Sequence, residues 1–217
     1  METLQNCPAC GASEMTTHLQ AKDYTVSKNT FNIVRCAACD LLFTNPRPEA
    51  EQAGYFYQSE NYISHSNTQK GFINKLYHAV RKITLKQKTN LIQGEQKGTK
   101  NLLDIGCGNG HFLHACQQDG WNTFGMELDP ETAARAAALT GQSIFPNLQA
   151  IPEEPQFELI SLWHVLEHVY EIDAYFEFFK KRINPGGKLL LALPNSKSFD
   201  ADYFKEFWAA YDVPIHF

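Results

Sequence analysis

Long apolar runs are missing from this chain. No stretch of its 217 residues approaches the roughly 20 consecutive apolar residues that cross a bilayer, which excludes a membrane-spanning helix. The opening Met1-Glu-Thr-Leu-Gln-Asn-Cys7 has no basic region leading into an apolar run, so no secretory signal is expected and the cytoplasm is the expected compartment. Cysteine is sparse, at six, and without a signal these residues argue for thiols or metal ligands and against a disulfide framework. No large excess of one charge is present either: the formal net charge is −5, and the acidic balance of residues 101–217 argues against broad nucleic-acid contact. The hydrophobic content of 43% is enough for one catalytic-sized domain and a small module.

The charge is unevenly spread. Residues 70–100 hold eight basic side chains and one acidic, whereas residues 101–217 hold seven and sixteen. The basic block overlaps a helical pattern in which Ile73, Leu76, Tyr77, Val80, Ile83 and Leu91 form the apolar stripe and Gly94 the stop. Lys75, Arg81, Lys82, Lys86 and Lys88 fall mainly on other faces and read as a solvated surface. The sharper alternative is a patch for a phosphate-bearing substrate or RNA.

Four of the six cysteines are paired in sequence. Cys7-Pro-Ala-Cys10 and Cys36-Ala-Ala-Cys39 each present two thiolates from a tight knuckle, and together they complete a tetrahedral four-thiolate shell for zinc. About 40 residues have too little core to fold alone, so a structural metal fills a physical need. The segment 1–48 is therefore expected to be a zinc-ribbon-like module with short strands over Phe31–Arg35 and Leu41–Phe43, leading into the extended linker Asn45-Pro-Arg-Pro48.

Residues 101–110, Asn-Leu-Leu-Asp-Ile-Gly-Cys-Gly-Asn-Gly, carry the most information about function. Leu102, Leu103 and Ile105 suit a buried strand, with Asp104 near its carboxyl end. Gly106, Gly108 and Gly110 clear side chains from a tight turn, and Phe112, Leu113, Ala115 and Cys116 then mark a helix face. The third glycine comes one residue too early for the dinucleotide fingerprint, and a carboxylate at the strand end would repel a pyrophosphate but welcome an ammonium group. After a second apolar stretch, Trp121–Met126, comes Glu127, placed to accept two ribose hydroxyls. A ligand with an amino-acid end and a nucleoside end fits both acids, and S-adenosylmethionine is such a ligand.

On these residues, on Phe157–His168 and on Asn184-Pro-Gly-Gly187 before Leu189–Leu193, the chain resembles the class I S-adenosylmethionine-dependent methyltransferases over residues 72–217. The resemblance implies an α/β fold, a Rossmann-like, open, mostly parallel sheet flanked by helices. It places the cofactor over the turn Asp104, Gly106, Cys107, Gly108, Asn109 and Gly110, with Glu127 at the ribose and the adjacent Leu128 as a further cofactor contact. Asn147 and Leu148 fall where the adenine edge would be met, and Trp163 near the adenosine or methyl-transfer pocket. Class I enzymes often supply a lid from residues ahead of the first strand. The aromatic, aperiodic segment within 49–71 is read either as ordinary packing or as that lid, with Tyr57 and Tyr62 as its cofactor contacts.

His164-Val-Leu-Glu-His168 follows the expected fourth strand, where active groups of open α/β sheets gather. On a helical turn His164 and His168 would share a face. They read as catalytic bases, as a metal pair, or as one packing residue and one cap. Asp129-Pro130-Glu131 is a strong helix start and Gly141 its stop. The turn Asn184–Gly187 is expected to precede a fifth strand over Lys188–Leu193. Because that strand is followed only by residues to Phe217, without the helix and two antiparallel strands usual in the class, the expectation is a shortened chain with an exposed apolar edge.

The reading that unites these features is methyl transfer from S-adenosylmethionine to a small-molecule acceptor such as a sugar or quinone-like metabolite. Two rivals stand beside it: an RNA methyltransferase gripping its substrate with the ribbon and basic helix, and a binding scaffold without chemistry.

Overall fold

The computed structural model describes residues 1–57, 72–92 and 100–217, with backbone alone over 72–79. Contacts divide the described chain into two units, one built from residues 1–57, 164–172 and 193–217, the other from residues 72–92, 100–163 and 173–192. In chain order the elements are β1 (Met15–Lys22), β2 (Thr30–Cys36), β3 (Leu42–Thr44), α1 (Ala50–Phe56), α2 (Phe72–Ile92), β4 (Asn101–Ile105), α3 (His111–Gln118), β5 (Asn122–Met126), α4 (Pro130–Thr140), β6 (Ile144–Phe145), β7 (Phe157–Trp163), α5 (Ile172–Arg182), β8 (Ile183–Ala192) and α6 (Phe199–Phe204).

The first unit is an antiparallel sheet in the order β1-β2-β3. Alternation along β2 gives each face its own core. Ile33 packs with Ala21, Tyr211 and Val213, so the segment ending in Phe217 covers one face. Val34 and Cys36 pack with Cys7 and Phe43 on the other, beside the cysteine knuckles. Arg47 ties the termini of this unit together: its Nε donates to Glu2 Oε1 at 2.8 Å, and its guanidinium lies 4.5 Å from the Tyr170 ring centre and 5.1 Å from that of Phe217.

The second unit is a fully parallel sheet in the order β6-β5-β4-β7-β8. Strand β4 is buried at all five positions because helices cover both of its faces, and its run Leu102, Leu103, Ile105 supplies the required apolar surface. The chain leaves β4 toward β5 on one side and returns to β7 on the other. That reversal opens a crevice at the carboxyl end of β4. Leu102 and Leu159 pack against Phe112, Leu113 and Cys116 of α3 and against Trp121. Helix α4 begins as its sequence dictates: Asp129 Oδ1 accepts the N–H of Thr132 at 2.8 Å, Pro130 opens the first turn, and Gly141 closes the helix at φ +68°.

Two sequence expectations change here. In α2, Val80, Ile83 and Leu91 are exposed, and the inward stripe is Leu85, Lys88, Thr89 and Ile92, itself spaced at i, i+3, i+4, i+7. Two apolar ridges run along this helix, and tertiary packing selects the one that carries a lysine. Gly94 lies outside the described residues. The last strand starts earlier than expected, at Ile183 rather than Lys188: Ile183 pairs with Phe157, a register shift absorbs the Asn184–Gly187 segment, and pairing resumes at Lys188–Leu159. No helix among the described residues is long and apolar enough to cross a membrane.

Candidate functional site

The crevice at the end of β4 is built around one buried carboxylate. Asp104 is only 2% exposed and stands in register between Gly125 of β5 and Ser161 of β7. Ser161 Oγ donates to Asp104 Oδ1 at 2.7 Å, and no ion pair among the described residues neutralises the carboxylate. Burial pushes the Asp104 carboxyl up to about 7, against the downward pull of the Ser161 hydroxyl and the Lys88 ammonium. A cationic group arriving in the crevice would relieve that cost.

Glu127 holds the glycine turn. Its Oε2 accepts the N–H of Gly108 and its Oε1 the N–H of Asp129, both at 3.0 Å. The N–H groups of Gly106 and Cys107 both donate to the carbonyl of Met126, and that of Gly110 to Cys107. The N–H groups of Gly106, Cys107, Gly108 and Gly110 are therefore committed within the protein. Gly108, at φ +53°, would place a Cβ in open space, which leaves a cradle for a ligand over the turn. Gly110 is different: at φ +76° a Cβ there would meet Ala136 Cβ at 3.0 Å and Thr140 Cγ2 at 3.2 Å. It is glycine so that α4 can approach the turn. Gly110→Ala is expected to destabilise the fold by roughly 2–3 kcal/mol through strain and overpacking, read as a lower midpoint in urea unfolding; an unchanged midpoint would contradict the close approach.

Trp163 is the last residue of β7. Its ring meets Phe112 edge-on with centres 5.4 Å apart, and Lys88 Nζ lies 4.0 Å from the ring centre. The indole Nε1–H is buried and finds no hydrogen-bond partner among the described residues. Asn109 accepts from Arg135 Nε at 2.9 Å. Leu128 is exposed, and Asn147 caps a short helical turn over Leu148–Ala150 by accepting the N–H of Ala150 at 2.9 Å. These groups fit S-adenosylmethionine: a buried anion for its amino group, a second carboxylate at the next strand end, and an open glycine cradle between them.

Sequence reasoning missed Ser161 and Lys88. A serine between Ile160 and Leu162 in a fully buried strand was the signal for the first. The second was a lysine at helical spacing from Leu85 and Ile92, hidden by the basic residues around it.

The remaining candidates belong to the first unit. The expected helical turn from His164 does not form, because His164 adopts φ +59° and only Leu166–His168 make a helical turn. The two histidines consequently have separate surroundings. His164 is 65% exposed, with Nδ1 3.3 Å from Glu167 Oε1. His168 is packed inside, with Nδ1 3.0 Å from the Tyr57 hydroxyl oxygen and 3.0 Å from the Ile215 carbonyl. Tyr57 is thus brought to His168, while Tyr62 lies outside the described residues. The four cysteines meet as their spacing requires: Cys7 Sγ is 3.7 Å from Cys39 Sγ, and Cys10 Sγ is 3.5 Å from Cys36 Sγ. Zinc–sulfur bonds of about 2.3 Å in a tetrahedron give edges of roughly 3.8 Å, so this donor set fits a closed zinc shell. Backbone N–H groups of Cys39 and Ala38 help hold the Cys36 thiol down at about 7, toward the thiolate a metal needs.

Known proteins are similar to this chain. A family profile described as "Methyltransferase domain" covers residues 77–216. The ubiquinone biosynthesis O-methyltransferase of Erwinia tasmaniensis is 28% identical over 107 residues, 46% of this chain and 44% of that protein. Its namesake from Psychrobacter arcticus is 30% identical over 106 residues, 44% of this chain and 41% of that protein. The chain spans less than half the length of these curated relatives. Among solved structures, the magnesium protoporphyrin IX methyltransferase of Synechocystis PCC 6803 with bound SAH aligns at a TM-score of 0.50 and 16% identity, over 66% of this chain and 68% of that one, a likeness of fold.

Proposed function

The chain belongs to the methyltransferase-domain family, with the class I fold, and from that premise we propose that it binds S-adenosylmethionine in the β4 crevice and passes the methyl group to a small-molecule acceptor. One observation carries the reading: the buried Asp104 carboxylate, held up to about 7 and without an ion-pair partner among the described residues, at the switch point of the sheet. In this reading Asp104 takes the ammonium of the methionine end and Glu127, next to Leu128, takes the ribose. The Gly106–Gly110 turn lies under the bridge between them, and Asn147 and Leu148 are on the adenine side. The family match over residues 77–216 supports a methyltransferase domain over 72–217, and the cysteine cluster supports the zinc-ribbon-like module at 1–48, with which residues 164–172 and 193–217 form one compact unit.

S-adenosylmethionine supplies an electrophilic methyl group on a sulfonium. The protein's share is to orient the acceptor and exclude water, worth several powers of ten in rate. His164 follows β7 directly and carries an exposed imidazole beside Glu167, which makes it the candidate base for an acceptor proton. The names of the relatives, ubiquinone biosynthesis O-methyltransferases, support an acceptor of metabolite size.

The test is transfer of a labelled methyl group from S-adenosylmethionine into a panel of sugars, quinol precursors and RNA. Label entering the small-molecule fraction, with His164→Gln roughly 100-fold slower, is the expected result. Label entering RNA with a steep salt dependence would replace the acceptor class. Tight binding without transfer to any fraction of a metabolite extract would make the protein a scaffold.

A further inference from the structure

In the first unit, apart from the four cysteines, two imidazoles and a carboxylate converge. His168 Nδ1 lies 3.0 Å from the Ile215 carbonyl, and His216 Nδ1 lies 2.8 Å from the Ala210 carbonyl. A carbonyl only accepts, so each Nδ1 carries its hydrogen and donates it, and each neutral imidazole is left with a bare Nε2. The Tyr57 hydroxyl oxygen, 3.0 Å from the same Nδ1 of His168, fits that tautomer as a second acceptor. The rings are edge-to-face with centres 4.6 Å apart.

Glu167 completes the group. Its side chain is 9% exposed, its Oε1 faces His164 Nδ1 at 3.3 Å, and its Oε2 is buried without a hydrogen-bond partner among the described residues. One ligand atom each from Glu167, His168 and His216 lie within 4.8 Å of one another. Asp212 adds negative charge at the edge, with Oδ2 4.0 Å from His216 Nε2. Converging acceptors repel unless a cation or a shared proton lies among them, and an unpartnered buried carboxylate oxygen costs a few kcal/mol.

We propose that Glu167, His168 and His216 bind a first-row divalent cation of the zinc type. Two imidazole nitrogens and one carboxylate suit such a cation and disfavour magnesium or calcium, which prefer all-oxygen shells. The Ile215 and Ala210 carbonyls are the outer partners that fix each ligating imidazole. Three protein ligands leave a position open, unlike the closed four-thiolate shell, so this cation can take an oxygen from an exogenous ligand. The assignment removes His168 from the role of base. It is independent of S-adenosylmethionine binding.

The experiment is a Co2+ titration of the metal-stripped full chain, followed by its visible spectrum. The expected result is two equivalents, one with thiolate-to-cobalt charge transfer and one without. Glu167→Gln keeps the side-chain shape, and it and His216→Ala are each expected to remove the second equivalent while the thiolate band persists. Should His216→Ala lose both signals by misfolding, Glu167→Gln decides alone. A wild-type chain that takes a single, thiolate-bound equivalent overturns the proposal. So does a second equivalent retained at full affinity in Glu167→Gln.

Discussion

Asp104→Asn is expected to weaken S-adenosylhomocysteine binding by about 100-fold at pH 8, the scale of one charge-assisted hydrogen bond in a desolvated site. The same variant is expected to erase a pH dependence that the wild type displays. Burial is the main reason the Asp104 carboxyl stands at about 7, well above its value in an unfolded chain near 4. A carboxyl raised on folding favours the protonated native state. Its contribution is therefore fully present below about pH 4 and is lost as pH rises to about 7, a cost of about 4 kcal/mol at neutral pH without ligand.

A ligand ammonium reverses this balance, because it needs the ionised form. Affinity should rise with pH through about 7 and then level, with proton release on binding in the range between. Calorimetric titration in two buffers of different ionisation enthalpy reads both the affinity and the proton. Equal affinity in wild type and Asp104→Asn, or binding with no proton release at about pH 6.5, just below the carboxyl's own value, would remove Asp104 from the ligand site.

Chelation of zinc, or Cys36→Ser, is expected to melt the three-stranded unit at ambient temperature. Its two small cores flank a single short sheet, and Cys7 and Cys36 belong to one of them. A structural zinc contributes on the order of 10 kcal/mol in zinc-finger peptides, more than so small a core can replace. Metal analysis together with near-ultraviolet circular dichroism checks this. Loss of the thiolate-bound metal and of the Trp208–Tyr211 aromatic signal in one transition is the expected outcome. Retention of that signal in metal-free protein would show that packing alone suffices.

Much of the fold was legible in the sequence because local rules decided it. The Asp129-Pro130 start, the Gly141 stop and the Leu102–Ile105 strand each follow from residues whose preference no neighbour opposes. The inward face of α2 was not legible. Val80, Ile83 and Leu91 are as apolar as Leu85 and Ile92, and only packing against the sheet chooses between them. Ser161 is named by its register with Asp104, which exists only once β4 and β7 pair. The histidines are a third kind of case: i, i+4 spacing implies a shared face only on a continuous helix, and the left-handed backbone at His164 breaks it. His216 and Glu167 are 49 positions apart in the chain, a juxtaposition that no local pattern encodes.

The most direct test of the two-carboxylate crevice is a crystal structure of the full chain grown with S-adenosylhomocysteine. The amino group is expected on Asp104 and the ribose hydroxyls on Glu127, with the glycine turn beneath. An empty crevice at saturating ligand, or a dinucleotide taken up in its place, would contradict the account.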